Sequence, residues 1–340
     1  MKRIVPDFYK KFRCAAGACS DTCCAGWEVD VDEKTLSRYK KVPGPFGKKL
    51  GECVSDGHFV LAEKERCPFL DENNLCEIYR NLGEDALSDI CREHPRFVEV
   101  FGDVEEKGLG LCCEESARLL LSSDRPLLFE ETESSEKPEP LDGESRALRN
   151  EMFEFRSDLL SRLSDRTVPL PVRLAEVLCL AATAQGENVS IPETSSQKLW
   201  SEVLRELFAC ESLGEKWDAA QGRILEKHSK GERSQKIFSD ADGERIVSYQ
   251  IFRYLAKALY DGDMLSKVKF AVLFWLFLER FGAELSTEKI PEKQRIFAVT
   301  LLSKEFEYSD VNMESLIGVF NEKPFLSTGA FLNLLREGQK

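Results

Sequence analysis

Histidine is scarce in this chain: 340 residues carry three. His58 and His228 lie in polar stretches and are expected at the surface. His94, in "REHPRF", stands three residues after Cys91 and is a candidate metal ligand. With so few imidazoles there is no Ser–His–Asp arrangement to argue for. No G-x-G-x-x-G follows a strand pattern, and "KGLGL" (Lys107–Leu111) has neither the spacing nor the context of a dinucleotide loop. An ordinary Rossmann site is therefore excluded. Long apolar runs are missing too. The longest, "FAVLFWLFL" (Phe270–Leu278), is bounded by Lys269 and Glu279. It falls well short of the ~20 residues a membrane span needs and reads as a buried core helix. Positive charge is in deficit: 47 Lys and Arg against 60 Asp and Glu give a net charge of -13. Such a chain repels nucleic-acid phosphate at long range, so neither nucleic acid nor membrane is an expected partner. The start, "MKRIVPDFYKKF", has no apolar segment behind its charges and is not a secretory signal, so the expected location is the cytoplasm.

What the chain does have is sulfur. Of its 12 cysteines, ten precede residue 114: Cys14, Cys19, Cys23, Cys24, Cys53, Cys67, Cys76, Cys91, Cys112 and Cys113. Cys179 and Cys210 follow. In a reducing compartment clustered cysteines bind metal more often than they form disulfides. Thiolates select zinc, copper(I) or iron–sulfur clusters. The first segment is spaced C-x4-C-x3-C-C, and Cys19 and Cys23 would share a face if it were helical. Adjacent Cys23 and Cys24 need irregular backbone, which Gly17 and Gly26 permit. Cys67 and Cys76 form C-x8-C, and Cys112 and Cys113 sit at a helix start, where the dipole stabilises a thiolate. This is neither a pair of C-x2-C zinc knuckles nor the ferredoxin run.

The local pattern predicts a mainly α protein: an irregular cysteine-rich metal-binding N-terminal domain followed by a helical bundle. Boundaries are expected at residues 1–128 for the cysteine-cluster domain, 129–147 for an acidic linker and 148–340 for the helical domain. In the first part, "EKTLSRYKKV" (Glu33–Val42) is helical and "PGPFG" stops it. "DENN" (Asp71–Asn74) is a tight loop, and "EDALSDICREHP" must end its helix before Pro95. "RFVEVFG" (Arg96–Gly102) alternates like a strand, with "GDVEEKGLGLCC" as its partner across a turn, and a helix starts at Glu114. The stretch "FEETESSEKPEPLDGESRA" (Phe129–Ala147) is acidic, with few apolar residues, and reads as a mobile linker. Nearly everything beyond it has a 3.6-residue period. Near the end, Glu305, Glu307 and Tyr308 in "SKEFEYSDVN" are acid–aromatic candidates for a lysine pocket. The competing expectation is an exposed charged face after a core helix.

The segments "FRCAAGACSDTCCAGW", "CPFLDENNLCEIY", "DICREHPRF" and "GLGLCCEE" resemble the YkgJ-type cysteine-cluster domain. More closely, the chain resembles the FliB family of flagellin lysine-N-methylases, with "FRYLAKALYDGD" and "SKEFEYSDVN" resembling that family's tail. The resemblance implies an enzyme, a protein-lysine N-methyltransferase. Its substrate would be flagellin, its donor S-adenosylmethionine, and the cysteine region would hold an iron–sulfur cluster of the [4Fe–4S] type. Zinc held by four thiolates is the second choice. Position by position, the family pattern falls on Cys14, Cys19, Cys23, Cys24, Cys67, Cys76, Cys91 and Cys113. Cys112 lies beside a family position, and Cys53 is outside the motif. Eight thiolates exceed the four that one cluster needs, so either some are structural or there is a second site. The cysteine region alone also supports a metal-chelating or redox-sensing module without methylase activity. Catalytic residues and the donor site are not assigned.

Overall fold

The computed structural model describes residues 1–337 other than 21, 27, 28, 64, 65 and 139. Asp21 and Trp27 of the first cysteine motif thus lie outside the described residues. The protein is mainly helical, with the cysteine-rich region preceding a helical body.

Strand β1 (Lys2–Pro6) lies inside a four-stranded sheet ordered β4-β5-β1-β6. β4 (Arg96–Phe101) and β5 (Val104–Leu109) form the expected hairpin, with Phe101 opposite Val104. The two-residue turn between them begins at Gly102, whose φ of 71° suits a tight hairpin turn. β1 runs parallel to β5 and antiparallel to β6 (Phe129–Glu133).

β6 occupies the start of the segment expected as a linker, and helix α6 (Gly143–Ser164) begins before that segment ends. The reason is backbone pairing with β1, from Lys2 opposite Glu133 to Pro6 opposite Phe129. Lys2 pairs with Glu131 at 2.5 Å and Lys10 with Glu130 at 2.7 Å, while Phe129 stacks on Phe252 with centroids 4.5 Å apart. Acids that look solvated in sequence find cations in the N-terminal segment, Lys2 on β1 and Lys10 in the turn after it.

The buried apolar residues gather in two cores. A small core gathers Val29, Val31, Tyr39, Leu50, Phe59, Phe69, Ile78 and Ala86. Around it lie α1 (Glu33–Tyr39), α2 (Gly44–Glu52), α3 (Glu77–Leu82), α4 (Asp89–Glu93) and a hairpin of β2 (Val54–Ser55) and β3 (His58–Phe59). α1 ends at Tyr39, short of "PGPFG", which instead starts α2, with Pro43 at the N-cap and Pro45 in the first turn. The large core takes in Ile4, Phe8, Phe12, Leu109, Leu111 and Cys113 together with the helical body. It therefore joins α5 (Glu114–Leu121) and the sheet to the helices, because β1 carries the N-terminus into the sheet's interior.

The helical body comprises α6, α7 (Leu170–Ala184), α8 (Ser196–Leu207), α9 (Glu215–Ser229), α10 (Asp240–Tyr254), α11 (Ala258–Asp261), α12 (Met264–Leu285), α13 (Pro291–Glu307), α14 (Asp310–Glu322) and α15 (Thr328–Glu337). At its centre, α12 contacts α7, α9, α10, α13, α14 and α15. Its apolar run is buried all round, as a core helix requires. Each large side chain there, such as Trp275 or Phe277, contributes roughly 1.5–3 kcal/mol by leaving water. Lys269, which bounds the run, is 1% exposed; its Nζ meets Glu187 Oε2 at 3.1 Å and the Phe320 carbonyl at 3.3 Å. Among the described residues no helix is long and apolar enough to cross a membrane.

Candidate metal centre and buried acids

The loop holding Cys14, Cys19, Cys23 and Cys24 is irregular. Among its described residues only a 3₁₀ turn at Ala16–Ala18 interrupts it, and Cys19 is extended, so Cys19 and Cys23 share no helical face. Gly17 is required by close approach: a Cβ there would stand 2.6 Å from the Asn73 carbonyl. The first cysteine loop thus rests on the "DENN" loop between Cys67 and Cys76.

Several thiols receive backbone N–H groups from two residues ahead. Cys14 Sγ accepts from Ala16 at 3.4 Å. Cys67 accepts from Phe69, Cys76 from Ile78 and Tyr79, and Cys113 from Glu115 and Ser116. Cys76 is the N-cap of α3 and Cys113 that of α5, so both face free helix-end donors. Such N–H···S bonds stabilise thiolate ligands. Cys91, on α4, has a hydrogen bond from Ser88, the N-cap residue.

Burial works against ionisation. It pushes Cys67 and Cys19 to about 12 and Cys91 to about 11, with neighbouring thiols adding to each rise. Cys23 donates to Cys24, which holds Cys24 low and drives Cys23 up. Neighbouring buried thiols cannot all ionise without a cation among them, and a bound metal supplies that charge. The donor set therefore fits zinc or iron. Among the described residues, no group of three His, Cys, Asp or Glu side chains stands in the geometry of a single ion's shell. The thiols are neighbours, not closed shells.

Other cysteines stand apart. Cys53 has Lys49, Glu52 and Glu77 as its charged neighbours. Cys112 is fully buried and receives the Tyr308 hydroxyl. His94, the candidate ligand, packs edge-on to Tyr308 at 5.9 Å, and burial lowers it to about 4. His228 is 6% exposed, contrary to the expected surface position. The α8–α9 interface encloses it, with Ser201 Oγ at 2.9 Å and Phe281 edge-on.

Glu305 and Glu307 do not form an exposed charged face; both are buried. Long-range partners explain this. Glu305 is 2% exposed and accepts from the Leu213 N–H at 3.0 Å, and burial raises it to about 7. Glu307 Oε1 accepts from Arg253 Nη1 and from the Tyr254 hydroxyl, each at 2.8 Å. Its Oε2 is buried with no hydrogen-bond partner among the described residues. Tyr308 is 39% exposed and is the member of this trio that reaches solvent. Nothing local in the sequence marks Arg253 or Tyr254 as partners of Glu307.

The two glycines of "KGLGL" have a packing role. A Cβ at Gly108 would stand 2.7 Å from the Tyr249 hydroxyl, and one at Gly110 would stand 2.2 Å from that of Tyr308. Both tyrosines press on the end of β5, and the Tyr249 hydroxyl bonds both the N–H and the carbonyl of Leu109 at 2.6 Å.

Neighbouring thiols on irregular loops are thus joined to a helical body with buried acids, a cysteine-rich class of protein. Residues 13–108 match a family described as a "putative zinc- or iron-chelating domain" of CxxCxxCC pattern. The chain is 30% identical over 150 residues to the lysine-N-methylases of Salmonella typhimurium and Salmonella choleraesuis, covering 39% of this chain and 36% of each relative. It thus spans just over a third of the length of those curated relatives. It is also 30% identical over 148 residues to the flagellar biosynthetic protein FliU of Salmonella muenchen, covering 38% of this chain and 85% of FliU. The chain belongs to the FliU family. No solved structure matches it.

Proposed function

We propose that the chain is a protein-lysine N-methyltransferase that acts on flagellin in the cytoplasm, with S-adenosylmethionine as donor and an iron–sulfur cluster in the cysteine region. The similarity to proteins named lysine-N-methylase carries this reading. Cys14, Cys19, Cys23, Cys24, Cys67, Cys76, Cys91 and Cys113 would hold the metal. When bound, it supplies the charge that ionises the thiols and ties their loops together.

Methyl transfer from a sulfonium is a displacement, so the attacking lysine amine must be neutral. A free lysine has a pKa of ~10.4 and is protonated at pH 7. The chain must attract the ammonium and then take its proton. Net charge of -13 favours the first step. Glu305, near 7, has the value of an effective base at neutral pH, and Glu307 and Tyr308 are its neighbours in sequence.

The test is anaerobic incubation of metal-loaded protein with flagellin and S-adenosylmethionine, followed by mass spectrometry of the flagellin lysines. One-methyl mass gains are expected. No gain, with no donor binding by calorimetry, would favour a chelating or redox-sensing module, the reading suggested by the family match to residues 13–108.

A further inference from the structure

The segments that carry the eight thiols are fastened to two different cores. Cys67, Cys76 and Cys91 pack against the small core. Cys24 is fastened to them: its carbonyl accepts from the Cys67 N–H at 2.9 Å, and Ala25 bridges to Arg66. Cys113 belongs to the large core, at the start of α5. The loop carrying Cys14, Cys19 and Cys23 is fastened there, because Glu114 Oε2 accepts from Ser20 N–H at 2.7 Å and from Ser20 Oγ at 3.0 Å. The two sets meet at the adjacent Cys23 and Cys24.

We propose that the chain holds two metal sites of four thiolates each, Cys24–Cys67–Cys76–Cys91 on the small core and Cys14–Cys19–Cys23–Cys113 on the large core, abutting through the Cys23–Cys24 dipeptide. The proposal rests on the metal-binding part of the function reading and is independent of methyl transfer. Each set has the four thiolates that a tetrahedral ion or a [4Fe–4S] cluster takes. Loading both sites would bridge the two cores through one peptide bond, so metal would set how the cysteine-rich lobe sits on the helical body.

The test is a cobalt(II) titration of the reduced, metal-free full chain without oxygen, read by thiolate-to-metal charge-transfer absorption. The expected break is at about two ions per chain, four thiolates to each. Anaerobic iron and sulfide loading should reach about eight iron atoms per chain, two clusters' worth. Cys76→Ser and Cys14→Ser should each lower the cobalt break to about one, and the double variant should abolish it. A wild-type break at about one ion, or a plateau at about four iron atoms, overturns the two-site assignment and leaves metal binding standing. No uptake of cobalt or iron overturns both.

Discussion

Burying Glu305 costs stability, and the cost depends on pH in a direction that can be checked. The carboxyl is 2% exposed, has the Leu213 N–H as its bonded donor, and is raised from 4.5 to about 7 chiefly by burial. The proton is therefore bound more tightly in the folded state than in the unfolded one. Below pH 4.5 the group is protonated in both states and there is no penalty. From 4.5 to about 7 the unfolded chain ionises first, and stability falls as pH rises. Above about 7 the penalty is complete. At about 1.36 kcal/mol per pH unit, the rise corresponds to about 3 kcal/mol. Glu305→Gln removes the charge and keeps an oxygen to accept from Leu213. The variant should match the parent near pH 4 and be more stable by about 3 kcal/mol at pH 8. Urea unfolding, followed by fluorescence of Trp217, reads this, since that buried indole packs edge-on to Phe306 beside Glu305. The same variant should lose methyl transfer if Glu305 is the base. A stability difference independent of pH, or a variant less stable at pH 8, would refute the account of its burial.

Other outcomes follow from named contacts. Cys67→Ser or Cys76→Ser should make residues 29–91 sensitive to protease under metal-loading conditions while sparing the helical body, because those thiols border the small core; equal resistance by gel would mean metal is not needed for that lobe. Arg156→Ala should destabilise by about 3–5 kcal/mol in chemical denaturation, since it strands the buried Glu106 that Arg156 holds with two hydrogen bonds. Tyr249→Phe should cost about 1–3 kcal/mol in the same assay, by leaving buried Leu109 backbone groups without the hydroxyl that joins them.

The helices were legible because their apolar residues recur at the helical period, and the β4–β5 hairpin because alternation surrounds a turn at Gly102. β1 and β6 were not. "KRIVP" and "FEETE" carry no clear alternation, and each is a strand through pairing with the other more than a hundred residues away. The cysteines were legible as a set from their number and crowding. Their contacts were hidden, since spacing does not reveal that the Cys67 N–H donates to the Cys24 carbonyl or that Ser20 reaches Glu114. The acids of "EFEY" were hidden for a related reason. A helix end rich in Glu looks solvated when its partners, Leu213, Arg253 and Tyr254, come from other elements. Those partners do not fully compensate the acids: Glu305 remains raised, and Glu307 keeps one oxygen without a hydrogen-bond partner among the described residues. A fold selected for stability alone would replace such groups with apolar side chains of similar volume. Keeping two of them at the end of α13, beside a tyrosine that reaches solvent, supports a chemical role for this end of the helical body.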